Sequence, residues 1–331
     1  MTNFSKGRRQ ALVAGTTLAS LQALPQWAQA QGSYPNRPIK LAVGFAPGTG
    51  PDVITRTLGN KMAELMGQSV VIDNRAGAGG QIAAAAVAKS APDGYSLLIA
   101  DVSAISIAPA AFSKLPYDPA RELDPVTEAV RTDFVLVVPP NSSAKTLAEF
   151  IEASRANKDK VNFATFGAGT PGHFGAEMLG EQAGFKVEPI HFRATGDAVT
   201  AIVAGDVQAA LVSIALATAQ VKGGKMRALA TTAQTRIPQL PEVPTFKESG
   251  YPKADFSAWF CLFVPKGTPP AIMDLLNKQA VAALAAPEVK RSLEEQGFRI
   301  IASTQAEARQ MVAAEAVRWK AVVTATGFKG D

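Results

Sequence analysis

The sequence predicts an α/β protein of about two domains, with mainly parallel sheets covered by helices on both faces. Three observations predict it. Short apolar runs alternate with amphipathic or alanine-rich runs, the βαβα order that parallel sheets require. Glycine-rich turns follow three of the apolar runs, as at the ligand-binding ends of α/β strands. The chain has 331 residues, 47% hydrophobic and 18% charged, enough for a large core and two domains of ordinary size.

The first thirty residues stand apart from that pattern. "SKGRRQALVAGTTLASLQALPQWAQA" has a basic start at Lys6, Arg8 and Arg9, an uncharged apolar middle and a small-residue end, Ala28-Gln29-Ala30. These are the three parts of a secretory signal, and the apolar part is too short to span a membrane. The paired arginines also admit the twin-arginine route, although Ala11 stands where that signal favours an aromatic. Cleavage after Ala30 and residence in the periplasm are the expectation.

Nine short apolar runs bounded by turns read as strands: "IKLAVGF", "SVVID", "YSLLIA", "DFVLVVP", "VNFATF", "VEPIHF", "VQAALVS", "MRALATT" and "WFCLFVP". Helices are expected near 51–66, 80–90, 146–157, 173–183, 195–204, 269–285, 287–296 and 304–324. The clearest is "TLAEFIEASRAN", with Leu147, Phe150 and Ile151 on one face and charge opposite. "APDG" at 91–94 closes a helix before a strand, and "KGTPP" at 266–270 leads from a strand into a helix.

Composition excludes several classes. The formal charge of +5 falls to +2 without Lys6, Arg8 and Arg9, and no block of basic residues remains, so there is no footprint for nucleic acid. Cys261, alone among aromatics in "WFCLFVPKG", reads as core filler and forms no internal disulfide. Two histidines, His173 and His191, without ligand spacing argue against a metal site. No G-x-S-x-G elbow or serine–histidine pairing points to hydrolysis, and no enzyme activity or cofactor is expected.

The glycine turns are "APGTGPD" at 46–52, "RAGAGG" at 75–80 and "FGAGTPGH" at 166–173. Each precedes a helix whose N-terminus suits an anion, so together they imply a ligand crevice. The dinucleotide spacing fails at the second, where Ile82 takes the place of the third glycine after Gly77 and Gly79. Gly167, Gly169 and Gly172 meet it formally, but Pro171 stiffens that loop and the acid expected after the next strand is missing from "EPIHFR". A small anion fits these turns better than a nucleotide.

Five motifs in order make the chain resemble the periplasmic receptors of tripartite tricarboxylate transporters, the Bug receptors. They are "YPNRPIKLAVGFAPGTGPD", "NRAGAGGQIAAAAVAKSAPDGYSLL", "FATFGAGTPGH", "RALATTAQTRIPQLPEVPTFKESGYP" and "FVPKGTPPAIMDLLN". The resemblance implies a two-lobed, periplasmic-binding-protein-like (flytrap) fold with two crossover strands and the ligand enclosed between the lobes. It implies a discontinuous first lobe, 31–131 and 233–331, and a second at 132–232, with crossings near Thr132–Val138 and Leu229–Thr232. The implied function is capture of a small carboxylate by a monomer that serves transporter membrane subunits; presenting a closed form to a sensor kinase is the alternative, and a cofactor-free periplasmic enzyme a more distant one.

Carried over by position, the ligand loop of lobe one is Phe45, Ala46, Pro47, Gly48 and Thr49, with Asp52 either touching ligand or satisfying first-turn N–H groups. Gly79 shapes the cleft edge, and Arg75 is an anion clamp or a loop brace. Ser103 and Ser106 face the cleft or serve turn chemistry. Lobe two offers Thr165, Gly167, Ala168, Gly169 and Thr170, with His173 as ligand contact or cap.

Departures from the family pattern bear on ligand choice. Thr49 replaces a glycine and adds a hydroxyl able to donate to ligand or a bridging water. "HFRATGDAV" puts His191, Ala194 and Asp197 in place of proline, glycine and proline, and keeps a base at Arg193 beside Thr195. Asp197 in the cleft would oppose a second carboxylate or pair with an amine; the other reading is a helix cap.

Overall fold

A computed structural model describes residues 34–157, 160–192, 194–254 and 256–330, Lys253 without its side chain. The expected signal lies outside these residues, as does Arg193. Residues from Arg37 onward form one unit built on two sheets.

Eleven strands are present: β1 Ile39–Val43, β2 Val70–Asn74, β3 Ser96–Asp101, β4 Leu123–Thr132, β5 Phe134–Val138, β6 Val161–Thr165, β7 Val187–His191, β8 Ala209–Ser213, β9 Arg227–Thr231, β10 Ala258–Pro265 and β11 Phe298–Ile300. The first sheet runs β11-β4-β10-β3-β1-β2 and the second β7-β6-β8-β5-β9. Both are mixed rather than mainly parallel. The pairs β1–β2, β1–β3, β6–β7 and β6–β8 are parallel, with helical crossovers between them. Antiparallel pairing enters with β4, β5, β9, β10 and β11. Four of these lie where the chain changes sheets and so arrive from the opposite end.

The first change of sheet takes one residue, Asp133, between β4 and β5. The return comes later than the expected boundary at 232. Ile237, Leu240 and Val243 pack in the core on one face of the second sheet, and Phe246, Ala254 and Phe256 on its other face. Phe256 stacks on Phe134 at 5.2 Å between ring centroids and fills the space a Gly175 side chain would need. We therefore draw the return at Ser257, just before β10.

Strand alternation explains how the second sheet is covered on both faces. Leu136 and Val138 of β5 belong to one core and Val135 and Val137 to the other. In the first sheet, all eight residues of β10 are buried, Cys261 among them. Helix Gln305–Thr326 opens with a capping box, Thr304 and Glu307 each satisfying the other's backbone. It is anchored by Glu315, which accepts from the indoles of Trp259 at 3.1 Å and Trp319 at 2.9 Å.

The elements without a counterpart in the sequence reading include β4, β11, helix Ile214–Lys222 and the short helical turns Ser103–Ile107, Ala108–Ala111, Pro119–Glu122 and Pro252–Ala254. In β4 buried Thr127, Glu128 and Thr132 interrupt the apolar run. Ser303 explains part of this, since its carbonyl accepts from Thr127 and its hydroxyl accepts from the Glu128 N–H.

Candidate functional site

The carboxyl ends of β1, β2 and β3 converge. Gly44 lies so close to the second glycine turn that a Cβ on it would stand 2.3 Å from the Gly80 Cα. That close approach requires glycine at position 44, and φ +90° favours glycine at position 80. A Cβ on Gly79 would lie 3.9 Å from that of Ser103, and one on Gly80 would lie 3.8 Å from the Phe45 ring. Loop 45–49, turn 77–80 and turn 101–107 therefore form one surface.

Loop 45–49 is held from behind by Asp52, 2% exposed. Its carboxylate accepts from the Gly48 N–H at 2.9 Å, Arg56 Nε at 2.9 Å and Asn74 Nδ2 at 2.7 Å. Burial pushes the carboxyl upward, but hydrogen bonds from Arg56, Asn74 and Gly48 and the Arg56 charge outweigh it and hold it below the usual range. With these partners Asp52 braces the loop from behind. Asn74 Nδ2 adds a bond to the Phe45 carbonyl at 3.0 Å. Thr49 spends its hydroxyl hydrogen on the Ala46 carbonyl at 2.7 Å, so it is an acceptor toward any ligand and not the donor its position suggests. Arg75 pairs with Asp73 at 2.8 Å, which makes it a brace of its own turn.

The second lobe builds a matching loop after β6. Thr170 Oγ1 donates to the Gly167 carbonyl at 2.8 Å, and the Gly169 N–H donates to His173 Nδ1 at 3.2 Å. That bond leaves the His173 proton on Nε2. Burial, then the neighbouring His191, lowers His173 to about 4, so it is neutral at neutral pH. Thr165 Oγ1 and His191 Nδ1 are 2.6 Å apart across the ends of β6 and β7. His173 thus supports the loop from below, 2% exposed. Thr195 and Asp197 lie exposed on the first turn of helix Thr195–Ala204, where Ala194 is the N-cap and makes no side-chain cap bond. The cap reading of Asp197 does not hold.

Two bridges join elements that carry these loop sets. On one side, Phe298 meets Gly50 at the end of loop one, while Gly297 abuts Ile214 after β8. On the other, Phe328 packs its ring 5.0 Å from His173 and 5.4 Å from Phe174, and Gly330 donates to the Ala111 carbonyl at 2.8 Å. The carboxyl ends of the parallel strands in both sheets thus lie along the same two bridges.

Backbone donors remain available in each loop. The N–H groups of Phe45 and Ala46, and of Gly167 and Ala168, have no protein partner among the described residues. An anion accepts from such groups without a fixed counter-charge. Among the described residues no group of three His, Cys, Asp or Glu side chains is placed to hold a metal.

Asp101 is the residue the sequence reading overlooks. It ends β3 beside Ser103, 5% exposed, and accepts from the Ser103 hydroxyl at 2.9 Å. An acid at the carboxyl end of an otherwise apolar strand is the signal that marks it. Ser106, in the same turn, is 2% exposed and its hydroxyl has no partner among the described residues.

Comparison with known proteins fits this geometry. The chain is 35% identical to BugT of Bordetella pertussis over 298 residues, 90% of this chain and 91% of BugT. It resembles the structure of MatC from Rhodopseudomonas palustris with bound malate, at TM-score 0.79 and 32% identity over 88% of this chain and 100% of that one. An R. palustris protein with adipate gives TM-score 0.83 at 28% identity, over 89% of this chain and 99% of that one. Residues 54–328 match the model of the tripartite tricarboxylate transporter family receptor, and the chain belongs to that family.

Proposed function

We propose that the protein captures a small carboxylate between its two lobes in the periplasm and passes it, as a monomer, to the membrane subunits of a tripartite tricarboxylate-type transporter. The observation that carries the reading is the pair of braced loops, 45–49 and 167–170, with unpartnered N–H groups at the strand ends of both lobes. Malate and adipate in the two related structures are carboxylates of the expected size. Export through the leader at 1–30, by the Sec or twin-arginine route, belongs to the same proposal.

A thermal-shift screen of the mature protein against mono-, di- and tricarboxylates and amino acids tests it. A bound carboxylate at a hundredfold excess over Kd is expected to stabilise the fold by about 2.7 kcal/mol. A flat response to every organic acid rejects carboxylate capture.

A further inference from the structure

The first lobe buries two acids at its ligand end, and only one is neutralised from within. Asp52 accepts from Arg56 at 2.9 Å. Asp101 has no lysine, arginine or histidine paired with it among the described residues; its partners are all neutral, the Ser103 hydroxyl at 2.9 Å, the Ala104 N–H at a long 3.4 Å and the backbone N–H groups of Ser103 and of Asp101 itself. Tyr117, the titratable group that senses its charge, turns its own hydroxyl to the Ala104 carbonyl at 2.6 Å. A buried carboxylate without a counter-charge is costly, and neutral donors offset only part of that cost.

Its place in the fold says from where a counter-charge can come. Asp101 ends β3, between the second glycine turn and the turn carrying Ser103, and a Cβ at position 80 would lie 3.9 Å from its Oδ1. Because residue 80 is glycine, no side chain springs from that position, and the Phe45 ring and the Ala104 methyl border the space beside the carboxylate.

We propose that Asp101 is a specificity-determining residue, selecting a carboxylate that also bears a protonated amine, with the ammonium group placed against Asp101 and the carboxylate on the loop N–H groups. This rests on the carboxylate-receptor reading above. Burial raises the Asp101 carboxyl to about 6, which agrees with a site built to receive a cation yet still mostly ionised at neutral pH. The buried hydroxyl of Ser106 in the same turn has no hydrogen-bond partner among the described residues.

The test uses pairs of probes that differ only in the amine: aspartate against succinate, and glutamate against glutarate, measured by calorimetry on the mature chain at pH 7.5. The amine-bearing member of at least one pair is expected to bind tenfold or more tighter. Asp101→Asn keeps the shape and is expected to bring that ratio close to one, by weakening the amine-bearing ligand while the amine-free one binds as well or better. Melting of unliganded Asp101→Asn at or above the parent's temperature would show that the fold is intact. Equal or tighter binding of the amine-free partners by the parent, or an unchanged ratio in the variant, overturns the proposal and leaves the carboxylate reading standing. Loss of all ligands by the variant together with a lowered melting temperature makes Asp101 a turn cap and also overturns it. If no carboxylate binds the parent, both readings fall.

Discussion

Asp101 and His173 are buried titratable groups whose linkage to folding runs in opposite directions. The Asp101 carboxyl moves from an ordinary 3.8 to about 6 because burial penalises its charge. Between those values the folded state binds more protons than the unfolded state, so this residue's contribution makes the protein more stable as pH falls from about 6 toward 4. Full development of the shift is worth roughly 2–3 kcal/mol. His173 moves from 6.5 to about 4, by burial and then by His191. There the unfolded state binds more protons, and stability is lost as pH falls from 6.5 toward 4. The two contributions oppose each other, so the parent's own profile hides both. Urea melts of the unliganded parent and Asp101→Asn between pH 4 and 7.5 separate them: the variant is expected to be relatively more stable at pH 7.5, and its advantage to vanish near pH 4. A constant difference across that range would place Asp101 in an environment that does not penalise its charge.

Turns carry the site, and the one where two strand ends touch is the least tolerant of change. A Cβ on Gly44 meets the Gly80 backbone at 2.3 Å, with no flexible side chain to give way. Gly44→Ala must therefore separate loop 45–49 from turn 77–80, at a cost of roughly 1–3 kcal/mol from overpacking. Ligand affinity is expected to fall more than the melting temperature suggests, because both loops of the cleft floor move. Calorimetry alongside thermal melting checks this, and unchanged affinity would put the ligand away from that junction. These glycine turns were legible in the sequence because glycine at a strand end has few other uses. The strands they follow were legible too, being short and continuously apolar. By contrast β4, which completes the first sheet, hides behind Asp124, Glu128 and Arg131, and its buried polar groups are satisfied by Ser303 and Asn277, both more than a hundred residues away in sequence. Helix Ile214–Lys222 was hidden for another reason: "IALATAQVK" follows a strand with no glycine or proline to mark the boundary. The candidate residues were found by position, but whether each braces or binds depended on partners such as Arg56, Asn74 and Ala46 that spacing does not reveal.

At the scale of the molecule, the two sheets are tied where the chain passes between them and again where the C-terminal tail meets the second lobe. Helix Gln305–Thr326 packs on the first sheet, and the residues after it reach the N-terminal turn of helix Pro171–Ala183. Phe328 there touches the histidine that supports the Gly169 N–H, while Gly330 is held to Ala111 of the first lobe. A flytrap receptor must balance open and closed arrangements, and a contact made across the lobes in one arrangement biases that balance by its own free energy. Phe328→Ala removes ring contacts to His173 and Phe174 and is expected to weaken carboxylate binding about five- to tenfold, roughly 1–1.4 kcal/mol, through faster dissociation. The loop residues that hold the ligand are unchanged, so the rank order of ligands should stay as in the parent. Stopped-flow measurement of dissociation, with the same ligand series in parent and variant, checks both parts. A changed rank order would place Phe328 against the ligand itself, and an unchanged dissociation rate would show that the tail rides on the second lobe without restraining its movement.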